Sequence, residues 1–462
     1  MIKLIKFLKL SEIKIPNYRE QIFRGLLFIF LSIIAEFFLW KQITFSFQII
    51  FNTVFLSLWI FVIELIMSYK RLFKLHRKNY WGAFLTPLII NILINLFIFK
   101  YVNIFAVSGI LSTLMITMLI DFESGIISAI TFSIFFGGIF GFDIKYMILL
   151  FIPSAIVAYF SKGINRRVEI IFPFFISSII QILLTYIFKY KHTTEDIFLL
   201  IGSNFINTLI TMGILPFIEY ITRVYSNIGL LELGNLNNPL LKKLTLRAPG
   251  TYYHSMIISN IAESAAEAIG GNSTLARVGS YFHDIGKIWK PIYFTENQKS
   301  ENPHNNISPK LSSLILNNHI VYGIELAKKN RLPILIEDMI AQHQGTRIKQ
   351  YFFKKYYDET GIYDKEMFKY PGPIPQFKES AILMFCDVTE AMSRSLKEIT
   401  PSILNEKLDK LLESLFAEGQ LDDCGLTLRE FKKMKGQIIR TMLEMNHKRI
   451  KYPKIEVDKL RS

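Results

Sequence analysis

The chain is organised around Ser280-Tyr281-Phe282-His283-Asp284-Ile285-Gly286-Lys287. A histidine and an aspartate stand side by side, followed within one turn by a glycine and a lysine. Neighbours on a helix point about 100° apart, so His283 and Asp284 cannot share one helix face. Two ligands that approach a metal from different directions would use that divergence. A His-Asp dipeptide is also common at a plain helix end, so the pair carries weight only through its surroundings. The sequence has eight histidines, and five of them, His254, His283, His304, His319 and His343, lie between residues 254 and 343. His254 shares a helical face with Ile258, Ile261 and Ala265. His319 follows Leu311 and Ile315 in a helix with Ser308 as its cap and Pro309 as its first residue. His343 follows Ile336 and Ile340 after Pro333. One histidine on an apolar face is usually a satisfied core residue. Four of them, with Asp284 and a further inward-facing Asp387, are too many polar groups for packing alone. Imidazoles and carboxylates drawn from several helices, with no thiolate, suit Fe, Mn or Zn.

The order His254, His283-Asp284, His319, His343, Asp387 resembles that of the HD-domain metal phosphohydrolases. Further stretches narrow the resemblance to the membrane-bound 7TM-HD family, which includes the PgpH-type cyclic di-AMP phosphodiesterases. They are Ala248-Pro249-Gly250-Thr251-Tyr252-Tyr253-His254-Ser255, Glu296-Asn297-Gln298, Asn302-Pro303-His304, Tyr370-Pro371-Gly372-Pro373 and Glu418-Gly419-Gln420-Leu421-Asp422-Asp423. The resemblance covers the C-terminal half by motif and the N-terminal half by layout. It implies an all-α protein, a polytopic transmembrane helix bundle followed by a cytoplasmic α-helical HD domain.

Composition agrees with a membrane half joined to a soluble half: 51% of residues are hydrophobic and the formal net charge is +15. Much of the positive excess flanks apolar runs, which favours an anionic membrane surface over a nucleic-acid polymer as its partner. No helix-turn-helix, RNA-binding sheet signature or phosphate-cradling P-loop is present. The two cysteines, Cys386 and Cys424, form no CxxC pattern and suggest no disulfide framework. No cleavable signal is evident, because the first twenty residues are too charged for an apolar signal core.

Residues 1–20 form a basic lead with Lys3, Lys6, Lys9, Lys14 and Arg19, read as cytoplasmic. The transmembrane bundle is expected over 21–220, with eight spans near 21–39, 44–67, 82–99, 102–120, 124–141, 145–161, 168–188 and 197–219. Lys70, Arg71, Lys74, Arg77 and Lys78 follow the second span, and Lys162, Arg166 and Arg167 follow the sixth. The loops near Lys41, Lys100, Asp143 and His192 are poor in positive charge, so both chain ends fall on the cytoplasmic side of the cell (inner) membrane. Family members carry a large extracellular domain after the first span, but here only Trp40 to Ile43 stand there. Glu64, Asn91, Asn95 and Gln181 lie inside spans, where helix-to-helix hydrogen bonding is the plainest role. Residues 221–247 form a connector, broken at Asn235–Pro239, and 248–462 form the HD domain, read as helices resuming at 376–396 and again from about 402 to the end.

Breaking a phosphodiester requires an oxygen nucleophile to reach an anionic centre, which a pair of cations about 3.5–4 Å apart makes feasible. Such a pair needs a bridging carboxylate, and Asp284 is the natural one. The resemblance gives His254, His283 and Asp387 to one metal and His319 and His343 to the other, with Mn or Fe as the two divalent ions. Asp284 and Lys287 are the expected catalytic pair. Lys287, His304, Gly345 and Thr346 are expected to contact substrate, and Glu390 and Gln344 to stand behind the ligands. This chain reads His343-Gln344-Gly345 where the family usually has His-His-Gly. It also has Ile320-Val321-Tyr322 after His319, where a Lys and an Asp are frequent. The function implied is hydrolysis of cyclic di-AMP to 5′-pApA, controlling a second messenger, with homodimerisation left open. The alternatives are hydrolysis of another nucleotide, such as cyclic di-GMP or a guanosine alarmone, and a membrane receptor that binds nucleotide without cutting it.

Overall fold

The structure is a computed structural model, and it describes residues 47–299, 301–396 and 398–445. The basic lead 1–20, the first expected span 21–39 and the chain beyond 445 lie outside the described residues. The chain divides into two compact units, one ending at Gly229 and the other beginning at Leu230. That division falls inside the stretch read as a connector.

The first unit is helical throughout its described part. It comprises α1 (Phe47–Tyr69), the short α2 (Arg71–Leu75), α3 (Arg77–Tyr101), α4 (Ile110–Leu119), α5 (Phe122–Ile139), α6 (Ile144–Phe160), α7 (Ile171–Ile187) and α8 (Thr194–Thr222). Four apolar stretches, Arg77–Tyr101, Phe122–Ile139, Arg167–Ile187 and Thr194–Thr222, are long enough to cross a membrane, and Leu58–Tyr69, Ile104–Leu119 and Ile144–Phe160 are shorter apolar helices. These seven coincide with the second to eighth expected spans. Successive helices from α3 to α8 pack on one another. The short α4 is buried along nearly its whole length, as a helix apolar on every side must be. Only Ile120 and Asp121 separate α4 from α5. Asp121 makes the break work: its carboxylate accepts the Ser124 backbone N–H at 2.8 Å, capping α5, and pairs with Lys70 at 2.6 Å.

After α9 (Asn227–Leu233), Asn238 caps α10 (Pro239–Arg247), with Pro239 as its first residue. The second unit continues with α11 (Pro249–Ala268), α12 (Ser273–Phe282), α13 (Pro309–Lys329), α14 (Ile334–Gln342), α15 (Gln350–Thr360), α16 (Lys378–Ser393), α17 (Pro401–Ala417) and α18 (Leu428–Met445). Asn272 caps α12 and Ser308 caps α13, as the sequence suggests. Helix α11 is the hub, packing against α10, α12, α16 and α18. The stretch from 402 onward is not one helix. It breaks between Ala417 and Leu428, where Gly419 and Gly425 take left-handed backbone angles of +66° and +73°. The described residues form no strand, only an isolated antiparallel bridge between Ile348 and Lys369.

Candidate metal centre

Helix α12 stops at His283, whose backbone is still helical, and Asp284 leaves it with φ −110° and ψ 18° before a tight turn over Ile285–Trp289. The helix thus gives way to a turn between the two ligands. With the helix ended between them, both side chains turn to one point, and His283 Nε2 lies 3.1 Å from Asp284 Oδ2. Gly286 fixes the next element. A Cβ there would fall 1.7 Å from the carbonyl oxygen of His319, so only glycine lets this turn lie against α13. That contact brings His319 beside Asp284.

The carboxylate of Asp284 divides its two oxygens between two sets of imidazoles. Oδ2 lies 3.1 Å from His283 Nε2 and 3.8 Å from His254 Nε2, whereas Oδ1 lies 3.4 Å from His319 Nε2 and 3.6 Å from His343 Nε2. Asp387 joins the first set, with Oδ1 3.1 Å from His254 Nε2. All six residues are buried.

The tautomers follow from the other ring nitrogens. His283 Nδ1 donates to the Ser280 carbonyl at 2.8 Å, His343 Nδ1 to Ile340 at 2.8 Å, and His319 Nδ1 to Leu316. A carbonyl only accepts, so each Nδ1 holds the proton and each Nε2 presents a lone pair to the centre. His319 and His343 bring these lone pairs within 3.3 Å of each other. His283 Nε2 and Asp284 Oδ1 are buried and have no hydrogen-bond partner among the described residues. Buried acceptors aimed at one another are costly unless a cation lies among them. The donor set, imidazole nitrogen and carboxylate oxygen, fits divalent metal ions, and two ligand groups share Asp284: His254 with His283, and His319 with His343. Burial pushes the Cys386 thiol up, keeping it protonated and unsuited to binding metal.

The electrostatics separate the ligands. Burial depresses His319 to about 4 and His343 to about 3, so both are neutral. Burial also opposes charge on His254, but hydrogen bonds to Asp387 and Glu390 outweigh it and raise that group to about 9. Asp284 lies well below the usual carboxylate range: burial works against ionisation, and Lys287 and His283 overcome it.

The supporting groups come from distant positions. Glu390 Oε2 holds His254 Nδ1 at 2.8 Å, and its other oxygen is held by Arg394 at 2.6 Å. Gln344 donates to Asp387 Oδ2 at 3.0 Å. Lys287 Nζ lies between Asp284 Oδ2 at 2.7 Å and Glu296 Oε1 at 2.8 Å. Thr251 at the start of α11 donates to the same Glu296 oxygen, and Asn297 donates to Thr251 Oγ1. His304 faces elsewhere: its Nε2 donates to the Tyr293 carbonyl at 3.0 Å and its ring packs between Tyr293 and Phe352. Gly345 has φ +56°, and Thr346 exchanges two hydrogen bonds with the side chain of Gln420, each 2.9 Å long. Sequence reasoning assigned no role to Glu296, Thr251, Arg394 or Gln420. Three of these residues lie in or beside the quoted stretches, which were the only available signal.

An all-α unit with this order of converging histidines and aspartates defines an HD domain. Residues 251–392 match the HD domain family model, and residues 44–226 match the model described as a 7TM receptor with intracellular HD hydrolase. The two matches follow one another along the chain in the order that the 7TM-HD family has, apolar helices first and the HD domain after them. It is similar to the cyclic-di-AMP phosphodiesterase PgpH of Listeria monocytogenes serotype 1/2a (strain 10403S), with 40% identity over 246 residues, 53% of this chain and 34% of that one. It is 37% identical over 252 residues to the PgpH of Bacillus subtilis (strain 168), covering 54% of this chain and 35% of that one. The chain thus spans about a third of the length of these curated relatives. The crystal structure of the Listeria monocytogenes PgpH HD domain in complex with cyclic-di-AMP is 41% identical and covers 46% of this chain and 100% of that one, with a TM-score of 0.45.

Proposed function

We propose that the chain is a membrane-anchored, metal-dependent phosphodiesterase that hydrolyses cyclic di-AMP to 5′-pApA on the cytoplasmic side. The observation that carries this reading is the division of Asp284 between two imidazole sets. One carboxylate with one oxygen toward each set is the donor arrangement for two ions side by side. His254, His283 and Asp387 would hold one and His319 and His343 the other, with Asp284 shared. When bound, two divalent ions, Mn or Fe, supply Lewis acidity to the phosphate and to a water molecule. Glu390, steadied by Arg394, keeps the His254 ring in place, and Gln344 does the same for Asp387. Lys287 supplies a fixed positive charge at the edge of the centre, released from Glu296 to a phosphate oxygen. The substrate is taken from the relatives, since no spacing in the sequence reads adenine.

The test uses the full chain, purified anaerobically in detergent and supplied with Mn²⁺ and labelled nucleotides. Cyclic di-AMP should yield 5′-pApA. Cleavage of a different nucleotide alone would overturn the substrate, and tight binding without cleavage would identify a receptor. Orientation is tested by reporter fusions. Those after residues 75 and 164 should report the cytoplasm and one near 192 the exterior; an external signal at 164 would overturn the eight-span arrangement.

A further inference from the structure

Lys349 is a buried lysine that forms no ion pair with a carboxylate among the described residues. It is 6% exposed, and its ammonium donates to the carbonyls of Phe368 at 3.0 Å and Lys369 at 2.8 Å. It stands 4.1 Å from the ring centre of Tyr370. Burying an ammonium is expensive, and two carbonyls and an aromatic face recover the cost only by holding one geometry. An apolar residue would fill the same space more cheaply, so what the lysine fixes in place is informative.

It fixes Tyr370. The backbone N–H of Lys349 donates to Phe368 and that of Tyr370 donates to Arg347, both at 2.9 Å, on either side of the Ile348–Lys369 bridge. From the other side, α13 holds the same segment: Ser313 donates to the Met367 carbonyl at 3.0 Å and Asn317 to the Lys369 carbonyl at 3.3 Å. Two residues further along α13 is His319, and the Tyr370 ring meets it edge-on, with 6.4 Å between centroids and 86° between planes. Tyr370 is partly exposed, and its hydroxyl makes no hydrogen bond among the described residues. A tyrosine held on one face by a cation, set against a metal-facing imidazole and left with a free hydroxyl is a preorganised donor.

We propose that the Tyr370 hydroxyl donates a hydrogen bond to a non-bridging phosphate oxygen of the substrate, and that Lys349 is the positioning residue that holds it there. This rests on the reading of the centre as a phosphodiester hydrolase. The test measures kcat, KM and metal content of the full chain in detergent with Mn²⁺. Two substrates are used: cyclic di-AMP and bis(p-nitrophenyl) phosphate, a generic phosphodiester. Tyr370→Phe should lower kcat about ten- to a hundredfold on both, with metal content unchanged. Lys349→Met should lower kcat in the same direction, Lys349→Arg should restore part of the loss, and Lys349→Met with Tyr370→Phe should be no worse than Tyr370→Phe alone. A lysine that merely supports the fold would add its loss to that of Tyr370→Phe, so effects that multiply would overturn its positioning role. An unchanged rate in Tyr370→Phe would overturn the donor. If the wild type cuts neither substrate, the hydrolase reading falls separately, and inorganic phosphate binding to the metal-loaded protein decides the inference. Tyr370→Phe should then weaken that binding roughly tenfold, and equal affinity would sink the proposal.

Discussion

In the apolar helices, Asn91 donates to Ser112 at 3.0 Å, Ser128 to Ser112 at 3.1 Å, Asn95 to Asn91 at 2.8 Å, and the Ser108 backbone N–H to Asn95 at 2.7 Å. In the HD unit, His254, His283, Asp284, His319, His343 and Asp387 are also buried, yet the Nε2 lone pairs of His283, His319 and His343 and the Oδ1 of Asp284 point at one another. The first arrangement satisfies polar groups with their neighbours, which is how membrane helices are held together. The second leaves charged and basic atoms unsatisfied around a single point. Acceptors also remain unpaired in the apolar helices, on Thr113, Asn204 and Asn207, but they are uncharged oxygens. Depth of burial therefore does not mark a functional site. What marks it is a set of like acceptors sharing one focus.

The sharpest way to break this contrast is to remove the focus. Asp284→Ala takes a ligand from both imidazole sets, and turnover should fall by more than the roughly 10²–10⁴-fold that a lost general acid costs. Metal content, read by elemental analysis, should fall with it, while the helices still pack. A variant keeping half the wild-type rate on every nucleotide tried would refute the two-metal arrangement.

Proton competition is the next largest effect. In metal-free protein, hydrogen bonds to Asp387 and Glu390 raise His254 from the ordinary 6.5 to about 9, so below that value a metal must displace its proton. Mn²⁺ affinity should tighten as pH rises from 6.5 towards 9, by up to ~10-fold per pH unit, and then level off. The protonated form works the other way on stability. Because the folded group binds its proton more tightly than the unfolded one, its contribution is complete below 6.5 and is lost as pH rises through 9. Titrations of chelator-treated protein at several pH values check both signs.

Lys287→Ala should be milder than Asp284→Ala. It removes one charge-assisted contact, about ten- to a hundredfold in rate, and leaves metal content intact. The smallest effect belongs to the apolar helices. Asn95→Ala should cost about 1 kcal/mol of stability through the stranded Ser108 backbone N–H, with turnover and metal content unchanged. Loss of metal in that variant would erase the distinction between the two kinds of burial.

Much of this was legible in the sequence, for definite reasons. Apolar runs of spanning length with charged ends mark helices whatever their neighbours are, and Asn238-Pro239 and Ser308-Pro309 mark where α10 and α13 begin. The converging histidines could be read because each lies on an otherwise apolar face. The break between α17 and α18 was signalled by Gly419 and Gly425, but the apolar pattern on either side hid it. The supporting groups were the least legible. Arg394 reaches a histidine 140 positions earlier, and Gln420 a threonine 74 positions earlier. No local pattern encodes such pairings, which exist only once α11, α16 and the segment before α18 have packed.

That separation has a consequence during synthesis. The chain leaves the ribosome from its N-terminal end, and domains fold largely in that order. His254 emerges long before Asp387, and α18, against which the helix of His254 packs, emerges later still. The apolar helices are therefore complete, and can be inserted, while the metal ligands are still an unfinished set. A nascent chain stalled before residue 387 would carry five of the six ligand residues without the sixth, and its hold on metal would be correspondingly loose. The full set of inward-facing histidines and aspartates can therefore be completed only after the apolar helices have left the ribosome.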